Sequence, residues 1–165
     1  MSNGVREFKT LFRPATYTDC IDLAPRLRQA DKDEVWASNH WLPEECLINS
    51  FKVTPECWVG VVNGQVELIF GIAETTMPGV GVPWFLGSDI LSDNLSTEFL
   101  RRSKAVFEEI GQPYHYFYNV VWSKNTVHIR WLKWLGFEFA EEPIPLGPDQ
   151  ELFYHFWILQ RISHV

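Results

Sequence analysis

Val120-Val-Trp-Ser-Lys-Asn-Thr-Val-His-Ile-Arg-Trp-Leu-Lys-Trp-Leu-Gly-Phe137 decides how this chain is read. A β-rich run, Tyr114 to Trp122, leads into it. Asn125 is a residue type that opens helices, because its carboxamide oxygen can accept from the free amides of the first turn. Ile129, Leu132 and Leu135 follow at a three-residue spacing, which places one apolar stripe on a helix. Gly136 tolerates the left-handed backbone that ends a helix. Phe137 then starts a strand, and the unit reads strand, helix, strand.

Working outward, Phe137 to Ala140 and Glu151 to Leu159 form a closing antiparallel pair, joined by the proline-rich segment Glu142 to Pro148. Upstream, Asn94 is placed to cap a helix that carries Leu95, Phe99, Val106 and Ile110 inward, and Gly111 with Pro113 stops it. Met77 to Leu86 begins as a Pro/Gly loop and ends as a short strand from Val82. Cys57 to Val62 and Gln65 to Ile72 are two apolar runs separated by Asn63-Gly64, a dipeptide suited to a tight hairpin turn. Leu11 to Pro14 reads as a strand and Thr16 as a helix cap with Asp19 as its partner. Cys20, Leu23, Ala24 and Leu27 line one helical face, which Pro25 interrupts. Helices from Asp31 to Asn39 and from Pro43 to Phe51 follow. A strand, a helix and a strand in succession imply a parallel pair, and the hairpin implies antiparallel neighbours. The expected fold class is α/β (α+β): one domain, residues 1–165, with a mixed, mostly antiparallel sheet and helices on both faces.

The chain has 165 residues, a formal net charge of -7 and 8 Trp, 5 Tyr and 12 Phe. An acidic chain without a basic stripe does not suit nucleic acid. Arg101, Arg102 and Lys104 read as a solvated helix face. Cys20, Cys46 and Cys57 share no metal-binding spacing, so neither a disulfide framework nor a metal site is expected, and reduced thiols are. No apolar run reaches the ~20 residues of a membrane span, and the polar start does not read as a signal peptide.

Residues 120–137 resemble the strand–helix–Gly-Phe element of the GNAT acetyltransferase superfamily. Phe12 to Asp19 is similar to the opening of that fold, and Trp58 to Gly71 to its second and third strands. Asn119 to Lys133, with Phe139 and Glu141-Glu142, resembles the internal virion proteins of T7-type, short-tailed phages. Leu27 to Val35 and Pro83 to Leu86 resemble related acetyltransferase-like phage proteins.

The resemblance implies acetyl-CoA as cofactor, lying where the fourth and fifth strands part. Trp84, Phe85, Leu86 and Ser88 on one side, and Asn119 and Asn125 on the other, are the cofactor-binding candidates. Family members cradle the pyrophosphate on glycine-rich backbone amides at a helix start. The matching segment here, Phe85 to Leu95, has one glycine, Gly87, and two carboxylates, Asp89 and Asp93. Leu132 stands where the family often has a tyrosine acting as general acid, and it has no proton to give. Glu74 as a base and His128 as a proton shuttle are the catalytic candidates. Glu74 also reads as a solvent-facing strand end, His128 as a partly exposed surface residue, Ser123 and Asn125 as helix caps, and Trp122, Trp131 and Trp134 as packing residues. The expectation is a phage protein with degenerate acetyltransferase features. It would act in the virion, in assembly or on the host, with other phage or host proteins as partners. The alternative is an active N-acetyltransferase on a host protein or small amine. Host cytoplasm or virion is the expected location.

Overall fold

The structure is a computed structural model describing residues 9–91 and 97–160. Strand β1 (Thr10–Pro14) leads to helix α1 (Tyr17–Leu23). Thr16 and Asp19 form a reciprocal capping box at its start, which satisfies two otherwise free amides. Pro25 ends α1 as expected: the chain tightens into a 3-10 turn, Ala24–Arg26, before α2 (Gln29–Asn39) and α3 (Pro43–Lys52). Strands β2 (Glu56–Val62) and β3 (Gln65–Glu74) make the hairpin. Asn63 and Gly64 both take positive φ, 51° and 80°, the geometry of the tight turn their types suit. Strand β4 (Val80–Gly87), helix α4 (Thr97–Ile110), strand β5 (Tyr116–Trp122) and helix α5 (Thr126–Trp134) follow. Three strands, β6 (Glu138–Phe139), β7 (Ile144–Leu146) and β8 (Glu151–Leu159), close the chain.

The sheet runs β1-β2-β3-β4-β5-β8-β6, with β7 also on β8. All pairs are antiparallel except β4 with β5. The expected mixed sheet with helices on both faces is what forms. Phe70, Phe85, Phe117, Val121 and Phe156 pack with Phe99, Phe107 and Ile110 of α4 and Leu132 of α5 on one face. Val59, Val61, Ile69 and Leu86 pack with Cys20 and Leu23 of α1, Val35 of α2 and Leu47 of α3 on the other. No helix among the described residues is long and apolar enough to cross a membrane.

Several expectations change in detail. The cap assigned to Asn94 and the inward Leu95 lie outside the described residues. Phe107 is buried by α4 alongside Phe99 and Ile110, whereas Val106 is only partly buried. Arg102 is not simply a solvated charge: it donates to the Thr10 carbonyl at 2.8 Å and lies over the Phe12 ring. The proline-rich connection contains β7, because Ile144 to Leu146 pair with Glu151 to Phe153. Gly136 does end its helix, with φ 99° and the Phe137 amide donating back to the Leu132 carbonyl. Asn125 stands at the N-cap position of α5 but makes no capping bond. Its side chain is engaged elsewhere.

A polar cluster in the parting of two parallel strands

Strands β4 and β5 pair over only two positions, Val80 with Tyr116 and Gly81 with Phe117. The sequence contains a reason. The carbonyl of Gly79 accepts from the Tyr116 amide, so alternate residues, Gly81, Pro83, Phe85 and Gly87, turn their backbone toward β5. Pro83 has no N–H to continue the ladder, which confines proline to edges and ladder ends. The Asn119 side chain takes over there, donating to the Pro83 carbonyl at 2.8 Å while its oxygen accepts from the Val120 amide at 2.7 Å. Beyond this bridge the strands part.

The gap is filled from α2. The Arg28 amide donates to the Gly87 carbonyl, and the Gly87 amide donates to the Asp31 carboxylate, each at 2.9 Å. Arg28 pairs with Asp31 at 2.6 Å and donates to the Asn125 carboxamide oxygen at 3.1 Å. The Asn125 amide nitrogen donates to Asp31 at 3.0 Å and to Glu34 at 2.8 Å, and Glu34 also accepts from the Trp122 amide at 3.3 Å. Arg28, Asp31 and Glu34 share one face because residues three apart on a helix are neighbours. Asn125 is 0%, Asp31 2% and Arg28 4% exposed. Such a pair persists away from water only when its remaining donors and acceptors are met, and Gly87 and Asn125 meet them. Burial pushes the Glu34 carboxyl up to about 8. The negative Asp31 adds to the rise, while Asn125, Trp122 and Arg28 oppose it. At neutral pH Glu34 is mainly protonated.

Beside this cluster lies a cavity of about 320 Å³ walled by Phe85, Phe99, His128, Trp131 and Trp134, with Arg28 and Asp31 at its polar end. Trp131 meets Phe85 edge-on at 4.4 Å between ring centres. His128 is partly exposed, as its second reading expects, and its ring also walls the cavity. Burial pushes its pKa down to about 4, with Asp31 opposing and Arg28 adding to the fall, so the ring is neutral. Its Nε2 and the Trp131 Nε1 are both buried without a hydrogen-bond partner.

The six cofactor-binding candidates divide. Phe85 walls the cavity, Asn119 bridges the parting strands and Asn125 centres the cluster. Trp84 and Leu86 pack on the opposite face of the sheet, and the Trp84 indole donates to Thr54. Ser88 is buried and donates its hydroxyl to Glu67. Of the catalytic candidates, His128 is at the cavity, whereas Glu74 is exposed and pairs with Gly81 at the other end of β4. Asp89 is exposed on a short turn, and Asp93 lies outside the described residues. Leu132 is fully buried in the core. Arg28, Asp31 and Glu34 were not anticipated as site residues. The available signal was a charge every third residue at a helix start, where the inward face should be apolar. Among the described residues, no group of three or more His, Cys, Asp or Glu could hold a metal ion.

The family described as bacteriophage T7, probable scaffold protein Gp13, matches residues 77–143. No curated protein matches the sequence. Among solved structures, Ard1 from Thermoplasma volcanium superimposes with a TM-score of 0.69 at 16% identity, covering 93% of this chain and 99% of that one. An N-acetyltransferase from Staphylococcus aureus Mu50 gives 0.69 at 14%, over 93% and 99%. The putative acetyltransferase yncA from Salmonella typhimurium, with its cofactor acetyl-CoA, gives 0.65 at 15%, over 94% and 96%. The chain therefore has the GNAT acetyltransferase fold.

Proposed function

We propose that this chain is a phage assembly or virion-associated protein, a single domain that keeps the acetyltransferase fold and has given up acyl transfer. The observation that carries the reading is the Arg28–Asp31–Asn125–Glu34 cluster. It fills the parting between β4 and β5, where the coenzyme of the resembled family would lie. The open edge of β4 at Gly87 is satisfied by Asp31 and Arg28 instead of being left for a ligand. A carboxylate at that amide is the wrong sign for a pyrophosphate. The donors described at this strand edge therefore speak against acetyl-CoA there. The likeness of residues 77–143 to a phage scaffold family favours the assembly role. Host cytoplasm and particle are its places of action, and phage or host proteins its partners.

Two further features support loss of chemistry. The candidate base Glu74 ends β3 beside Gly81 near the start of β4 and lines a different concavity from His128. Leu132, at the position of the family's proton donor, is fully buried and has no proton to give.

The test is thermal melting with acetyl-CoA at about 1 mM, since any ligand of the native state raises its stability. The expected result is an unchanged Tm, with this chain co-purifying with other phage proteins. A saturable rise in Tm would restore the alternative, an active N-acetyltransferase.

A further inference from the structure

A second concavity lies at the other end of β4, formed where β2 begins, β3 ends and α4 runs into β5. It is a groove of about 720 Å³ with Trp58, Met77 and Tyr114 among its apolar walls and Glu56, Glu74 and Glu109 around them. Among the described residues, no Lys, Arg or His lines it. None of the three carboxylates has an ion-pair partner among the described residues.

Helix α4 worsens this balance. Its last turn brings Glu109 to the groove and holds no basic residue, although the C-terminal end of a helix is already its negative pole; the neighbouring Glu108 faces Lys104 instead. The Tyr114 hydroxyl is pushed up by burial and by the charges of Glu74 and Glu56, which places both carboxylates near one ring. Glu56, Glu74 and Glu109 thus rim one groove with apolar walls. Met77 is 65% exposed there. An acidic rim around apolar walls, with no ion-pair partner for its carboxylates among the described residues, is complementary to a cationic side chain with an apolar stem.

We propose that this groove docks an extended basic segment of a partner protein, with a lysine or arginine head among Glu56, Glu74 and Glu109 and its methylenes against Trp58 and Tyr114. Long cationic side chains combine an apolar stem with a charged head, and they bind aromatic faces as well as carboxylates. The charge excludes nucleic acid. The carboxylates do not gather into a metal-holding group, and the groove's volume and apolar wall suit a chain segment. The inference stands apart from the reading of the β4–β5 parting, so acetyl-CoA binding would neither support nor undermine it.

The experiment titrates the full chain with a capped Lys-Leu-Lys-Leu-Lys peptide, followed by amide NMR shifts and calorimetry, with the capped Glu-Leu-Glu-Leu-Glu peptide as control. The basic peptide is expected to shift the Glu74–Val80 amides and the Trp58 indole, more weakly at high salt. The triple variant Glu56→Gln, Glu74→Gln, Glu109→Gln is expected to bind at least about tenfold more weakly, with little change in Tm, because none of the three carboxylates makes an ion pair among the described residues. If the triple variant does not fold, Glu109→Gln alone is expected to reduce affinity in the same direction. No shift with the basic peptide at millimolar concentration, an equal shift with the acidic one, or unchanged affinity in the variant would overturn the proposal.

Discussion

Arg28 donates to the side chain of Asn125, 97 positions along the chain, at 3.1 Å. One residue precedes α2 and the other precedes α5, so the bond ties opposite sides of the parted sheet. Asp31 and Glu34 complete the tie, and the removal of any one member leaves a polar group stranded away from water.

Asp31→Ala is therefore expected to cost about 3–5 kcal/mol, because Arg28 would stay buried without its partner. The double change Arg28→Met, Asp31→Leu is expected to cost much less, since an apolar pair needs no compensation. Urea denaturation of both variants checks this. Equal losses would mean that the cluster is not a coupled unit.

Glu34 makes stability depend on pH between the ordinary carboxylate range and about 8. Its folded pKa of about 8 lies above that of the unfolded chain, so the native state holds a proton that the unfolded state has released. The chain is then expected to lose stability as pH rises through the window up to about 8, by a few kcal/mol in total. Glu34→Gln retains an acceptor for Asn125 and Trp122 and has no proton to lose. Its Tm is expected to stay flat between neutral pH and about pH 8 while that of the parent falls.

His128 acts with the opposite sign at acid pH. Its folded pKa of about 4 lies below the ordinary value, so the unfolded chain takes up a proton that the native ring refuses. Stability attributable to this residue falls as pH drops from the usual histidine range toward 4, by about 2–3 kcal/mol. His128→Phe removes that dependence and the unpartnered Nε2 together. The variant is expected to match or exceed the parent at neutral pH and to gain on it steadily toward pH 5 in denaturation titrations.

Gly147 turns the chain between β7 and β8 with φ 75°, and a Cβ there would run into the carbonyl of Ala37 on α2. Gly147→Ala is expected to cost about 1–3 kcal/mol. A high-resolution view of the variant should show the turn lifted from α2, with the 2.7 Å contact between His40 and Asp149 broken.

Much of the architecture was legible because local chemistry and tertiary outcome agree. Thr16 with Asp19, Pro25, Asn63-Gly64 and Gly136 each do locally what their types favour. The site was less legible because its residues disobey those preferences. Asn125 occupies a cap position and spends its carboxamide on partners some 90 positions away. Arg28, Asp31 and Glu34 look like a solvated helix edge until the parting of β4 and β5 supplies somewhere to bury them. Pro83 held the missing clue, since a proline well inside an apparent central strand announces a broken ladder. The β7 strand was hidden by its own Pro145 and by Pro143 before it, at an edge where no amide is required.

The two-pair junction of β4 and β5, against seven pairs between β5 and β8, makes the sheet two plates joined by a seam. Force applied across that seam is borne by side chains, Asn119 first and then Arg28, Asp31 and Asn125, with few amide rungs to share it. Tension should thus unzip the molecule there first, parting β1–β4 from β5–β8 as separate leaves still tethered through α4.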